Sequence, residues 1–486
     1  MALGSAPGIC YSPQPMPPQE NLPSAHSSSE EPMNPSPPAT LVRGLGLKEA
    51  VALNMIDMIG IGPFVVTPLV IRAMGGPQAL LAWVAGAVLA LLDGFVWSEL
   101  GAAMPRAGGS YVFLAEAYGP HRWGRLMSFL FVWQTLIQAP LVIASGAIGF
   151  AQYASYLYPL GPYQQKALSG SVVIFLVILL YRRITTIGKI SILLWAGVIG
   201  TMLWLIAGGI SHFNARMAFS FPPGAFHLSH LFFAGLGAAM VSTTYTYWGY
   251  YNICHLGGEL REPEKNIPRG IFISIIGIVI LYLAMQTSIL GVVPWQKAQN
   301  SPFLVSLFVE TISGPVAARV ATLLVLWVAF ASIFAALLGY SRVPYAAALD
   351  GNFFSIFARV HPEKKFPHFS LLFLGFIAFL SSLLFRLSTV IAAILATRLL
   401  VQFIGQAIGV MLLRKRWPPE RLPFKMWLYP LPAILTMGGW AALFWATGPA
   451  RKWGLLVIGL GVVAFLLRAA EMRQWPFAKV QTPEAA

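Results

Sequence analysis

Apolar segments of about 20 residues recur along most of this sequence, from residue 50 to residue 469. A helix needs about that many apolar residues to cross the roughly 30 Å hydrocarbon core of a bilayer. Every backbone polar group in such a segment must be satisfied internally, which an α-helix achieves. The pattern therefore predicts an all-α membrane protein of about 12 helices, at residues 50–72, 79–104, 126–150, 160–181, 190–210, 231–253, 270–293, 316–340, 369–385, 388–413, 428–447 and 453–469.

The overall composition excludes an ordinary soluble domain. Hydrophobic residues make up 57% of the chain and charged residues only 10%, whereas about a quarter of the residues in soluble domains are charged. The chain carries 32 Lys and Arg against 17 Asp and Glu. Contact with anionic lipids of the inner leaflet uses such residues, so no nucleic acid partner is needed to explain them. We expect an integral, multi-pass protein whose surroundings are the lipid bilayer.

The distribution of Lys and Arg between the loops predicts the orientation. Alternate loops are rich in these residues, as at Arg182 and Arg183 after the fourth segment, and the intervening loops are poor in them. Because cytoplasmic loops collect positive charge, we assign the rich loops to the cytoplasm. Both termini then lie in the cytoplasm, and the plasma (inner) membrane is the expected location.

The segments outside the helices predict little chemistry. Residues 1–45 are rich in Pro and Ser without an apolar period, which predicts a disordered cytoplasmic tail, and residues 471–486 are a second cytoplasmic tail. No secretory signal is recognised, so the first helix is expected to direct insertion.

The two cysteines, Cys10 and Cys254, are distant in sequence. We therefore expect no structural disulfide, no metal cluster of Cys and His, and no cofactor.

Two of the apolar segments contain residues that weaken helices. The stretch MIGIGPFVVTP in the first segment contains two glycines and two prolines: Gly60, Gly62, Pro63 and Pro68. The sixth segment, STTYTYWGYYNICHLGGE, is interrupted by Gly249. At membrane depth a break is tolerated only where the freed backbone groups face protein, a ligand or a water-filled cavity. Both segments are candidate sites, and helix packing is the alternative explanation.

The positions of the two breaks suggest an internal repeat. They lie in the first and sixth segments, each the first of five, as expected for a transporter built from two inverted repeats. This divides the chain into a first repeat at 46–212, a second repeat at 226–414 and two peripheral helices at 427–470. Freed N–H groups at a half-helix N-terminus attract a carboxylate, and freed carbonyls attract an ammonium group or a cation. A zwitterion carries both a carboxylate and an ammonium group, so it can bind to the freed N–H groups and to the freed carbonyls.

Four stretches of the sequence form recognisable motifs. They are GIGPF (60–64), SELGAAMPRAGGSYVFLAEAYG (98–119), GGELREPEKNIPRGI (257–271) and GYSRVPYAAALDGNFFSIFARVHPEKKFPH (339–368). They resemble the glycine-rich break in helix 1, the first inner loop, the link between helices 6 and 7, and the loop after helix 8 of one family. That family is the amino acid/polyamine/organocation (APC) superfamily, whose members have the LeuT-type fold. The resemblance covers residues 48 to about 425.

The resemblance implies ten core helices in a 5+5 inverted repeat, two peripheral helices, and a central site between helices 1, 3, 6 and 8. It also implies a secondary active amino acid permease that works by alternating access. The substrate carboxylate would meet the backbone of the first break, and Tyr245 would close over the substrate as a lid. The substrate-binding candidates are Gly60, Ile61, Gly62, Pro63, Phe64, Tyr245, Trp248, Gly249 and Tyr250.

Carboxylates inside the helices are further candidates, because each costs several kcal/mol in the membrane. Asp57 and Asp93 lie in the first and second segments. Each is a candidate for coupling transport to an ion or for a hydrogen-bonded structural role. Glu99, Glu259 and Arg261 lie near predicted cytoplasmic ends and are candidates for a gate. We expect Glu99 to pair with a loop Arg, and Glu259 to belong to a cytoplasmic charge network with Arg261 and Arg269 nearby.

Departures from the family pattern bear on partners. Several sodium-independent relatives carry a Lys in helix 5 in place of a sodium ion, whereas ISILLWAGVIGTMLW in this chain has none. The coupling ion, proton or sodium, therefore stays open. Relatives that pair with a heavy chain use a Cys in the outer loop after helix 3. The corresponding loop, QYASYLYPLGPYQQ, has no Cys, so a disulfide-linked heavy chain is not expected.

A proton-coupled polyamine carrier of the same fold is the main alternative. Polyamines need acidic residues, and none occurs from Tyr245 to Gly258, but Asp57, Asp93 and cation-π contacts keep this alternative open.

An enzyme is not expected, because neither HExxH nor GxSxG occurs. A channel would need repeated polar rings along a pore. The aromatic residues near the second break favour neutral or aromatic amino acids as substrates.

Overall fold

The computed structural model describes residues 41–385, residue 394 and residues 396–477. Regular structure in this part of the chain is helical, apart from the isolated bridges Leu45–Leu260 and Ala107–Leu256. The α-helices are α1 (Leu47–Met58), α2 (Gly62–Met74), α3 (Leu80–Ala103), α4 (Ser110–Tyr118), α5 (Trp123–Ala154), α6 (Pro162–Leu180), α7 (Ile184–Ser211), α8 (Ala215–Ala218), α9 (His230–Tyr247), α10 (Asn252–His255), α11 (Pro263–Val292), α12 (Trp295–Ala298), α13 (Leu304–Tyr340), α14 (Arg342–Leu349), α15 (His368–Leu384), α16 (Gly405–Arg416), α17 (Leu431–Ala446) and α18 (Ala450–Glu471). Short 3₁₀ turns lie at Pro77–Ala79, Gly257–Glu259, Ser355–Ala358 and Pro419–Arg421, and a π-helical turn, Leu399–Ile404, leads into α16.

The predicted membrane class is confirmed by these helices. Within the described residues, eight spans are long and apolar enough to cross a membrane, and the bent pair of α1 and α2 makes a ninth. Helices α15 and α17 are apolar but shorter, and they lie where the ninth and eleventh segments are predicted. Helix α9 lies in the predicted sixth segment. The protein is an all-α, multi-pass integral membrane protein.

Some sequence predictions fall on residues beyond this description. Most of the predicted tail at 1–45 and the end of the tail at 471–486 lie outside the described residues. The start of the predicted tenth segment, 388–413, also lies outside them, and the span described there is Ala396–Arg416.

The first predicted break separates α1 from α2 and is confirmed. Helix α1 ends at Met58, α2 begins at Gly62, and the two helices are bent by 44°. Pro63 lies in the first turn of α2, where its missing N–H costs no helical hydrogen bond. Pro63 is thus compatible with the start of α2.

The second predicted break follows α9 and is also confirmed. Trp248 has an extended backbone (φ −63°, ψ 147°), and Gly249 has φ +123°, which L side chains rarely adopt. The chain becomes helical again at Asn252 in α10. A Cβ on Gly249 would lie 2.7 Å from the backbone nitrogen of Met58. The two breaks therefore pack directly against each other.

A further interruption lies in α13 and was not expected from the apolar pattern. Gly314 has φ 78° and ψ 179° inside this helix and is followed by Pro315. The part of α13 before Gly314 precedes the predicted eighth segment, 316–340, and the part after it matches that segment. Proline cannot continue the hydrogen-bond ladder of the preceding turn, which explains a break at this point.

Candidate substrate site

A cavity lies where the two breaks meet. It is lined by residues of α1, α2, α5, α9 and α13, of the loops at both breaks, and by Arg398. The sequence-predicted residues that line it are Asp57, Gly60, Ile61, Gly62, Tyr245, Trp248 and Gly249. Four other candidates, Pro63, Phe64, Tyr250 and Asp93, are not among its lining residues. The fold therefore brings most of the predicted site together in one place.

The amide groups of the first break are partly free. The Gly60 N–H donates to the Met58 carbonyl at 3.0 Å, and the Phe64 N–H donates to the Ile61 carbonyl at 3.2 Å. Among the described residues, neither the N–H of Ile61 nor the N–H of Gly62 donates a hydrogen bond. Both residues line the cavity. The start of α2 therefore offers two donors there, together with the partial positive charge of a helix N-terminus.

The two glycines of this break also allow close packing. A Cβ on Gly60 would lie 2.5 Å from the Ser332 Oγ of α13, and a Cβ on Gly62 would lie 3.0 Å from the Thr246 Cγ2 of α9. Real Cβ atoms essentially never approach other atoms as closely as the first of these distances. Gly60 is thus required for the close contact with α13. Its N–H already donates to the Met58 carbonyl, so it is not one of the free amides of this break.

Tyr282 of α11 joins the two breaks and was not singled out from the sequence. Its hydroxyl lies 2.7 Å from the Met58 carbonyl oxygen and 3.1 Å from the Thr246 carbonyl oxygen. These are the carbonyl groups that the breaks free from their helices. The Tyr282 hydroxyl therefore already contacts carbonyl groups that were expected to bind the ammonium group of a substrate.

Asn54 of α1 satisfies the backbone of the second break and was also missed. Its side-chain amide donates to the Tyr250 carbonyl at 2.5 Å and accepts from the Ile253 N–H at 3.1 Å. An isolated polar residue in an apolar helix was the available signal for both Asn54 and Tyr282. The sequence candidates came from the two breaks and from charged residues in or near the helices, so neither Asn54 nor Tyr282 was selected.

Tyr245, the predicted lid, bridges two helices beside the cavity. Its hydroxyl lies 3.2 Å from the Ser145 Oγ of α5. Its ring is edge-on to Trp248, with the ring centroids 6.4 Å apart. Neither contact involves a charged group, so breaking both would leave no buried charge without a partner.

Asp93 and Tyr250 bond to each other away from the cavity. The Tyr250 hydroxyl donates to the Asp93 carboxylate at 2.5 Å, and the Trp440 indole N–H of α17 donates to its other oxygen at 3.1 Å. Asp93 is 1% exposed. This carboxylate therefore connects α3 with the second break and with α17.

Asp57 and Arg398 bring opposite charges to the cavity. Both line it, yet no ion pair within 4.0 Å joins them. The Asp57 carboxylate has no hydrogen-bond donor among the described residues. Arg398 lies in the predicted tenth segment but was not a candidate. The rule that charge inside a membrane helix marks a functional group would have selected it.

Glu259 forms a buried ion pair near the bridge between Leu45 and Leu260. Its carboxylate accepts two hydrogen bonds from the Arg342 guanidinium, at 2.9 and 2.8 Å, and both side chains are buried. The expected neighbour Arg261 is exposed, and its Nε makes only a 3.5 Å contact with the Arg43 carbonyl. The partner of Glu259 is therefore a distant residue in α14, because the fold returns that helix to this end of the bundle.

Glu99 forms the second charged contact at this end. Its carboxylate accepts two hydrogen bonds from Arg414 of α16, both 2.6 Å, and one from the Met426 N–H at 2.7 Å. An Arg partner for Glu99 was expected from the sequence. Arg414 lies in the last turn of a helix rather than in a loop.

Comparison with known proteins identifies the family. The family model described as amino acid permease matches residues 45–465, which is most of the chain and includes both breaks. The chain belongs to the amino acid permease family. The APC membership expected from the four motifs is thereby confirmed, and the protein is a permease for amino acids rather than an enzyme.

Several relatives are 26–27% identical to this permease over the aligned part of the two chains. The serine/threonine exchanger SteT of Bacillus subtilis is 26% identical over 82% of this chain and 90% of its own. The human cationic amino acid transporter 4 is 27% identical over 78% and 61%, respectively. The aspartate-proton symporter of Bacillus subtilis is 26% identical over 62% and 59%. The names of these relatives cover neutral, cationic and acidic amino acids, so similarity alone does not select a side chain.

Proposed function

We propose that the permease binds the zwitterionic backbone of an amino acid in the cavity between the two breaks. The α-carboxylate is bound by the N–H groups of Ile61 and Gly62 at the start of α2. The α-ammonium group is bound by Asp57, helped by the carbonyl groups left free at the breaks. The single observation that carries this proposal is the pair of amides without acceptors, which lines the same cavity as an unpaired carboxylate.

Asp57 is also the proposed coupling group. A carboxylate without a protein partner in the transport cavity is placed to exchange a cation each time the cavity opens. The name of the aspartate-proton symporter favours a proton, and sodium is the other ion to test. We assign Asp93 the structural role, because Tyr250 and Trp440 already bond to both of its oxygens.

The charged contacts of Glu259 and Glu99 are the proposed inner gate. The loops at this end are those rich in Lys and Arg, so we place it in the cytoplasm, together with residues 41–46 and 472–477. Tyr245 and the outer part of α9 would then close the cavity from the other side. Alternating access requires these two closures to open in turn.

Uptake by purified permease in liposomes tests the function. A panel of labelled amino acids and putrescine is offered under imposed proton or sodium gradients. Wild-type protein is expected to accumulate amino acids, and Gly62→Leu is expected to abolish uptake because its side chain fills the space at the free amides. Gly459→Leu is the matched control, since Gly459 lies exposed in α18 with nothing within 4 Å of its Cβ position.

The outcomes separate the alternatives. Gradient-driven amino acid uptake that Gly62→Leu abolishes and Gly459→Leu leaves intact supports the zwitterion site and names the ion. Uptake of putrescine without any amino acid would overturn the proposed site. Amino acid uptake by Gly62→Leu at the wild-type rate would do the same.

A further inference from the structure

The buried Arg398 has no role in the zwitterion site described above. We propose that Arg398 binds a second carboxylate of the substrate, so that the permease carries dicarboxylic amino acids such as aspartate or glutamate. This inference rests on the proposed function, because it adds a third anchor to the same cavity. The substrate side chain inferred here is acidic, whereas the sequence analysis favours a neutral or aromatic one.

The contacts of Arg398 hold its guanidinium in place without neutralising it. Its Nε donates to the Gln402 side-chain oxygen at 3.0 Å, and one terminal nitrogen donates to the Tyr251 hydroxyl at 2.5 Å. The guanidinium also lies over the Trp248 ring, 4.6 Å from its centroid. Arg398 is only 1% exposed and still lines the cavity. Every one of these bonded partners is neutral, so no carboxylate of the described residues bonds to the guanidinium, and the nearest opposite charge named for this cavity is Asp57.

Two other arginines of this permease differ from Arg398 in this respect. The buried Arg342 makes a two-bond ion pair with Glu259, and the part-buried Arg414 makes one with Glu99. No carboxylate of the described residues lies within 4.0 Å of Arg398. A buried charge without a bonded counter-charge is costly, and a charged residue inside a membrane that faces a cavity marks a candidate ligand site. The second terminal nitrogen of Arg398 also has no acceptor among the described residues.

The arrangement matches three charged groups of one substrate. The α-carboxylate has the amides of Ile61 and Gly62, the ammonium group has Asp57, and a side-chain carboxylate has Arg398. Trp248 lines the same cavity, and its indole N–H is buried without an acceptor in the described part of the chain. It offers a second donor beside the guanidinium. A positive charge at this place also repels lysine, arginine and polyamines.

A purely structural role for Arg398 is the competing explanation. Its bond to Gln402 spans the π-helical turn Leu399–Ile404, and π turns interrupt the regular helix ladder. If Arg398 only supported this turn, its replacement would lower all transport and the stability of the fold together. It would not change which side chains the permease prefers.

Competition assays on the wild-type permease in liposomes test the inference first. Labelled substrate uptake is competed with aspartate against asparagine, and with glutamate against glutamine, since each pair differs in charge at nearly constant size. We expect the acidic member of at least one pair to compete about tenfold or more better, as one charged hydrogen-bonded contact provides. Better competition by both amides would overturn the inference while leaving the zwitterion site intact. Failure of all four compounds and of the wider amino acid panel would instead count against the proposed function.

Arg398→Gln and Arg398→Lys then test the residue itself. We expect Arg398→Gln to reduce the ratio of acidic to amide affinity about tenfold or more, and Arg398→Lys to retain part of that ratio. Arg319→Gln is the matched control, because Arg319 is exposed on α13, and it should leave the ratio unchanged. An unchanged ratio in Arg398→Gln would overturn the assignment. If Arg398→Gln does not fold, the wild-type comparison still decides the substrate class.

Discussion

At the scale of single residues, Asp57 carries the most weight in this account. It is a carboxylate in a membrane helix that lines the cavity and has no bonded partner in the described protein. Sequence reasoning found it because charge at membrane depth is rare. The same reasoning selected Asp93, whose hydrogen bonds to Tyr250 and Trp440 could not be foreseen. Those partners come from segments that are distant in sequence.

Replacing Asp57 by Asn should remove the anchor for the ammonium group. We expect Asp57→Asn to lower gradient-driven uptake about tenfold or more, because a charged hydrogen bond contributes roughly 1.5–3 kcal/mol. Initial rates of labelled amino acid uptake in liposomes measure this effect. Glu264→Gln, at an exposed carboxylate in the first turn of α11, is the control and should leave the rate unchanged. Wild-type uptake by Asp57→Asn would contradict the assignment.

Gly249 is required by both its backbone and its surroundings. A Cβ there would combine an unfavourable φ of +123° with a 2.7 Å approach to the Met58 backbone nitrogen. We expect Gly249→Ala to lower the thermal unfolding temperature in detergent and to abolish uptake. Gly448→Ala is the control, because Gly448 also has a positive φ of +61° but nothing lies within 4 Å of its Cβ position. Equal shifts in both variants would show that the close contact between the breaks is unimportant.

At the scale of helices, glycine and proline patterns predicted where α1 and α9 end. Gly60, Gly62, Pro63 and Gly249 act through local backbone rules, so sequence alone reveals their effect. What satisfies the freed backbone groups was not predictable in the same way. Tyr282 bonds to carbonyls more than 30 residues away in α9 and more than 200 residues away in α1. Such pairs are known only once the helices have been placed beside each other.

The Tyr282 hydroxyl should therefore stabilise both breaks at once. Removing it in Tyr282→Phe leaves the Thr246 carbonyl without this donor and the Met58 carbonyl with only the Gly60 N–H. A buried polar group left without its partner costs about 1–3 kcal/mol. We expect a lower unfolding temperature and slower uptake. Tyr163→Phe removes the same atom from a side chain that is 87% exposed, and it should behave like wild type. A Tyr282→Phe protein as stable as wild type would contradict this role.

At the scale of the whole molecule, buried charged contacts join several helices at the end that holds Glu259. The bridge between Leu45 and Leu260 lies beside the Glu259–Arg342 pair, and Arg414 with Glu99 ties α16 to α3. Charge near the predicted cytoplasmic ends selected Glu99 and Glu259 as gate candidates, and that role stays a prediction. The partner of Glu259 was not foreseen, because Arg342 follows α13 in a helix that only the tertiary fold brings back.

Breaking the buried Glu259–Arg342 ion pair should lower both the stability and the transport activity of the permease. Glu259→Gln leaves the Arg342 guanidinium buried without a counter-charge, and removal of one member of such a pair costs about 3–5 kcal/mol. We expect reduced stability in detergent and loss of gradient-driven uptake. The exposed Lys265–Glu262 pair provides the control, since Glu262→Gln breaks a solvated contact that contributes little. Comparable losses in both variants would contradict the assignment of Glu259 to a gate.

The measurement that tests the central proposal most directly is competitive binding of a labelled substrate to purified permease by substrate analogues. The transported amino acid is compared with its α-carboxyl methyl ester and with the amine that lacks the α-carboxylate. If Ile61 and Gly62 bind that carboxylate, both analogues should bind about tenfold or more weaker than the amino acid itself. If the ester and the amine compete as well as the amino acid, the carboxylate is not bound at the break between α1 and α2, and the proposed site is wrong.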